Sequence, residues 1–146
     1  MSILKKIIFS FFLTLVLFSC ESNDPNHMEE VAKHDEVMVI HDEVMPRMGE
    51  IHKLGKQLKK IVKNESVEND SILAEIKNTI KYLDEADEGM MDWMHGYSKP
   101  SKLRDKKSHE EIMEYLADEM KKVEKVKYDI NTSIENAQKL IASQKQ

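Results

Sequence analysis

The chain has 146 residues, with 34% charged and 40% hydrophobic positions, four Gly, three Pro and a single Cys. This length suits one domain, the composition excludes a low-complexity chain, and the lone cysteine excludes any disulfide within one copy. A net charge of −5 argues against nucleic acid and against electrostatic docking on anionic lipid.

The first 19 residues read as a leader rather than as part of the fold. Lys5 and Lys6 form a basic start, and Ile7 to Phe18 form an apolar run about half the roughly 20 residues that a membrane-spanning helix needs. Leu17-Phe18-Ser19-Cys20 follows, and it resembles a lipobox, the processing site of bacterial lipoproteins. That resemblance implies cleavage before Cys20, a diacylated sulfur and a further acyl chain on the new amine. Two or more acyl chains hold a protein stably on a membrane where one does not. Removing the leader takes away two lysines and no acid, which carries the net charge from −5 to −7. Residues 20–25 would be the lipidated Cys and its tether. Glu21-Ser22-Asn23-Asp24 resembles the acidic export signals of some Gram-negative lipoproteins, which implies the outer membrane.

Residues 26–146 read as one all-α domain. Asp24-Pro25 is an N-cap followed by Pro at the first helical position. From about 26 to 63, Val37, Ile40, Val44, Ile51, Leu54, Leu58 and Ile61 recur at three-to-four spacing. Pro46 falls on the face opposite Val37 and Val44, where the missing hydrogen bond predicts a kink rather than a break. Polar residues 64–71 predict a turn. A second helix, about 69–97, carries Ile72, Ile76, Ile80, Leu83, Met90 and Met94. A basic loop from Lys102 to Lys107 reads as solvated. Ser108-His109-Glu110-Glu111 is a capping box opening a third helix, about 108–143, with Ile112, Leu116, Met120, Val123, Ile130, Ile134, Ala137 and Ile141 as its stripe. Three long coiled-coil-like helices with short links predict an antiparallel up-down-up three-helix bundle.

Within that architecture one repeat stands out. His34-Asp35-Glu36-Val37-Met38 recurs unchanged at His41-Asp42-Glu43-Val44-Met45, two helical turns later and so on the same face. It belongs to a row, His34, Met38, His41, Met45, Met48 and His52, whose spacings alternate four and three; helix two adds Met91 and His95, four apart. Thioether and imidazole are soft or borderline donors suited to Cu(I). Equally, Met is a gap-filler in irregular cores, and the row could simply widen the apolar arc of a helix touching two neighbours. Folding helices one and two about residue 66 predicts His41 near Met91 and Met38 near Met94. It also predicts Arg47 beside Glu85 or Asp87, the latter as a structural ion pair. Trp93 reads as a core anchor.

Nothing resembles a nucleophile elbow, phosphate loop, zinc-protease helix or catalytic triad, so the chain does not read as an enzyme. Lipobox, tandem His-Asp-Glu-Val-Met with Pro46, and Met90-Met91-Asp92-Trp93-Met94 together resemble a family of small Gram-negative lipoproteins sometimes labelled "viral A-type inclusion protein". The resemblance implies an envelope address and a helical body, and it supplies no activity or binding residues. The expectation is therefore a lipid-anchored envelope bundle meeting a protein partner or a second copy of itself, with a Cu(I)-binding lipoprotein or a mechanical spacer as alternatives.

Overall fold

The computed structural model describes residues 24–63 and 69–144. The leader, Cys20 and most of the turn expected at 64–71 lie outside the described residues. Every regular element among the described residues is helical: α1 (Pro25–Val44), a 3₁₀ turn (Met45–Arg47), α2 (Met48–Lys63), α3 (Asp70–Gly96), a short α4 (Pro100–Leu103) and α5 (His109–Ser143). None is long and apolar enough to cross a membrane.

The helix starts follow from side chains that satisfy otherwise orphaned backbone donors. Asp24 accepts from the Asn26 N–H at 3.1 Å, ahead of Pro25. Asn69 accepts from Ser71 and Ile72 at 2.9 and 3.4 Å. Ser108 accepts from the Glu111 N–H at 3.3 Å while the Glu111 carboxylate accepts from the Ser108 N–H at 2.8 Å, a reciprocal box. At its far end α3 stops at Tyr97, whose extended backbone (φ −73°, ψ 133°) turns the chain toward Pro100.

Pro46 does more than bend the helix. The backbone stays right-handed through Val44, Met45 and Met48, yet the hydrogen bonding tightens into the 3₁₀ turn, where Met48 N–H reaches the Met45 carbonyl. A proline has no N–H to give to the Asp42 carbonyl, so the α-pattern is interrupted where it was expected only to kink. The tighter winding re-phases α2 relative to α1.

The core draws on every long helix. Val37 and Val44 come from α1, Ile51 and Leu58 from α2, Ile76, Leu83 and Met90 from α3, and Val123, Ile130 and Ile134 from α5, each at most 2% exposed. Burying a side chain of this size contributes about 1.5–3 kcal/mol. α5 packs against α1, α2 and α3, and α2 packs against α3. Cross-helix pairs record the running sense of the elements. Glu43–Lys127, Arg47–Asn131 and Glu50–Gln138 rise together in number, whereas His34–Tyr97, His41–Met94, His52–Asp87 and Lys59–Asp84 run opposite ways.

The basic loop is exposed as expected at Lys102, Lys106 and Lys107, with Arg104 as the exception. Pro100 is buried at the head of α4, and Arg104 folds inward instead of standing in solvent.

Candidate functional site

The residues singled out on α1 and α3 do not gather as one row. His41 and Met94 meet: His41 Nε2 lies 3.3 Å from Met94 Sδ. The other ring nitrogen, Nδ1, lies 2.8 Å from the Asp42 carboxylate, and the His41 side chain is 15% exposed. These two atoms sit in a groove of about 420 Å³ lined by Met38, His41, Trp93, Met94, Tyr97, Lys99 and Lys102. α1 contributes Met38 and His41 from one turn. α3 contributes Trp93, Met94 and Tyr97 from its last turn and cap, so the groove lies where α3 ends against the middle of α1.

Aromatic rings floor this region. His41 and Trp93 have ring centroids 5.6 Å apart, Trp93 and Tyr97 5.1 Å, and Tyr97 and Tyr115 6.2 Å. His34 stacks on Tyr97 at 5.7 Å, and its Nδ1 hydrogen-bonds the Tyr97 hydroxyl at 2.6 Å. The Tyr115 hydroxyl accepts from the Ser98 N–H at 2.7 Å, fixing the chain just after α3. Burial raises the pKa of the Tyr97 hydroxyl above its usual range, and the neighbouring Tyr115, Glu119 and Asp35 push it the same way. Burial likewise raises Tyr115. Both hydroxyls therefore stay protonated as hydrogen-bonding groups.

The remaining members of the predicted set scatter. Met45 packs on the core and Met48 is buried in it. His52 is largely exposed and pairs with Asp87 at 3.0 Å. Met91 and His95 face outward. Met94, part of the α3 stripe and expected near Met38, lines the same groove as Met38 and takes the place beside His41 that was expected of Met91, three residues earlier on α3.

The expected Arg47–Asp87 pair is replaced. Arg47 closes the 3₁₀ turn and faces α5, donating to Asn131 there, and lies 3.4 Å from Glu50 on α2. Asp87 sits opposite His52, about a turn and a half beyond Arg47 along the chain.

A second polar constellation had no sequence signal. Glu30, 3% exposed, is one of four buried polar residues among the described ones, with Thr79, Glu119 and Ser133. Its Oε2 accepts from Arg104 Nη2 at 2.7 Å and Nε at 2.8 Å, and its Oε1 from His109 Nδ1 at 3.1 Å. Arg104 also meets His27, and His109 Nε2 lies 3.3 Å from Glu29. The hydrogen bond to Glu30 raises the His109 pKa above its ordinary value against the opposing effect of burial, and the charges of Glu29, Glu30 and Glu110 add to the rise. A buried carboxylate needs such partners, and this one ties α1 to the α4–α5 connection. An acid three residues ahead of a lysine, as at Glu119–Lys122 (2.8 Å), is visible in sequence; an acid whose partners lie 74 and 79 residues away is not.

Among the described residues no three His, Cys, Asp or Glu side chains come together as a metal-binding group. No family model, curated protein or solved structure matches the chain.

Proposed function

We propose that the chain is a lipid-anchored component of the bacterial cell envelope, held on the outer membrane through Cys20, that works by binding or by structural contact and not by catalysis. The observation that carries this reading is positional. Leu17-Phe18-Ser19-Cys20 ends four residues before Asp24, the side chain that caps the first helix, so the acylation motif abuts the folded body. The resemblance to small Gram-negative lipoproteins supports the same address.

The body is read as an antiparallel up-down-up three-helix bundle, with α1 and α2 as the first rod, α3 as the second and α5 as the third. The opposed numbering of the α1/α2–α3 pairs and the matched numbering of the α1/α2–α5 pairs support it. Long helices joined by short links offer few loops on which to build catalytic groups. They do offer faces: Met28, Val39, Tyr82, Met91 and Tyr128 are large apolar or aromatic side chains left largely exposed. Such residues suit contact with a protein partner or a second copy of the chain.

Metabolic labelling with palmitate, followed by membrane fractionation, tests the proposal. The wild type should carry label and sediment with outer membrane, and Cys20→Ser should lose both. A wild-type chain that takes up no label would overturn it.

A further inference from the structure

We propose that His41 Nε2 and Met94 Sδ, with the Met38 thioether as third donor, bind one soft monovalent cation, Cu(I) or Ag(I). The argument begins with the imidazole. Asp42 can only accept, so its carboxylate 2.8 Å away places a proton on Nδ1 and leaves a lone pair on Nε2. That lone pair faces the sulfur of Met94 at 3.3 Å, and a thioether has no proton to give. Two electron-pair donors thus point at each other across helices, an arrangement that a cation between them satisfies. A carboxylate on the far nitrogen is also how ligand histidines are held in tautomer and orientation.

The geometry fits. With metal–nitrogen and metal–sulfur distances of about 2.0 and 2.3 Å, a 3.3 Å separation of the two donors corresponds to an angle of about 100° at the metal, near tetrahedral. Met38 lies three residues before His41 and lines the same groove, which is open to solvent along one side. Charge selects the ion. All three donors are neutral, the groove lining contains no carboxylate, and Lys99 and Lys102 stand at its rim. A divalent ion would find no compensating anion there, whereas a singly charged ion of soft character suits thioether and imidazole.

The repeat that drew attention to this face yields one site and not two. The equivalent histidine, His34, has its Nδ1 engaged by the Tyr97 hydroxyl, and among the described residues no thioether hydrogen-bonds its ring. Met91 and His95, the exposed four-apart pair on α3, provide an internal control. The site does not depend on how the chain is anchored, so its failure and that of the lipoprotein reading are separable.

The test uses the full chain carrying Cys20→Ser, in detergent, so that no thiol competes. Trp93 is the only tryptophan, and its ring lies 5.6 Å from that of His41, which makes its fluorescence a local reporter. Titration with Ag(I), and with Cu(I) under a competing chelator and reductant, should quench Trp93 with saturation at one equivalent. Met94→Leu and His41→Gln should each weaken binding by about tenfold or more, with Asp42→Asn and Met38→Leu also weaker. His95→Gln and His52→Gln should bind as wild type, and excess Zn(II) should not displace the ion. Far-UV circular dichroism checks that each near-isosteric variant is folded; should one of them unfold, the other three still decide. Absence of saturable binding tighter than micromolar, two equivalents bound, unchanged affinity in Met94→Leu, or an equal loss in His95→Gln would each overturn the assignment.

Discussion

The carboxylate of Glu30, near the start of α1, receives two nitrogens of the Arg104 guanidinium on a single oxygen, at 2.7 and 2.8 Å. The two residues differ sharply in exposure, with side chains 4% and 32% accessible. Removing one partner is therefore not equivalent to removing the other.

Arg104→Ala strands a buried carboxylate with His109 as its remaining cation. It should cost about 2–3 kcal/mol, below the 3–5 kcal/mol of fully buried pairs because the guanidinium is partly in water. Glu30→Ala lets Arg104 relax into solvent and should cost less. The double variant should be no less stable than Arg104→Ala alone. Urea midpoints of the three proteins check the order.

His109 makes the same cluster depend on pH. Its folded pKa is raised above the ordinary 6.5 by the hydrogen bond to Glu30, so the folded state holds the proton more tightly than the unfolded chain. The stabilisation is complete below 6.5 and is lost as pH rises through the higher folded value. Urea midpoints measured from pH 6 to 9 should fall more steeply for the wild type than for Glu30→Gln or His109→Gln. Equal slopes would show that His109 titrates alike in both states.

Trp93 carries a buried Nε1–H without a hydrogen-bond partner among the described residues. Trp93→Phe removes that unpaired donor along with part of the ring, and the two effects offset. It should cost under about 1.5 kcal/mol, whereas Met90→Ala, one turn away and fully buried, should cost about 2–5 kcal/mol. Thermal unfolding of both variants gives the comparison.

Pro46 is exposed, so its replacement tests backbone alone. Pro46→Ala restores an N–H for the Asp42 carbonyl and should raise helical ellipticity slightly. It also removes the device that phases α2, so Met48 and Ile51 should repack and stability should change by no more than about 1 kcal/mol in either direction. Circular dichroism and urea unfolding together measure the two effects.

The helices were legible because their signals are local. Two caps, at Asp24 and Ser108, sit where polar residues precede apolar periodicity, a third at Asn69 falls inside the polar stretch expected as a turn, and the 3.6-residue stripe picked out Val37, Val44, Leu83, Ile130 and Ile134. Register was less legible. His41 was expected at Met91 and meets Met94, and nearer the turn His52–Asp87 and Lys59–Asp84 lie further still from a reflection about residue 66, because a polar link several residues long does not fix the point about which two helices fold back. Arg47 illustrates the consequence: it meets Asn131 on α5, and Asp87 is left to His52. The Glu30 cluster was invisible, since Glu30, Arg104 and His109 each look like surface charges in their own windows. Their burial is a property of three segments meeting, and no periodicity encodes it.

α5 is the common partner of the other long helices, and five of the eight core residues it supplies, Ile130, Ile134, Ala137, Leu140 and Ile141, lie in its last fourteen helical residues. The core therefore closes only when the last turns of α5 are in place, and the clasp at Glu43–Lys127 joins positions 84 residues apart in the chain.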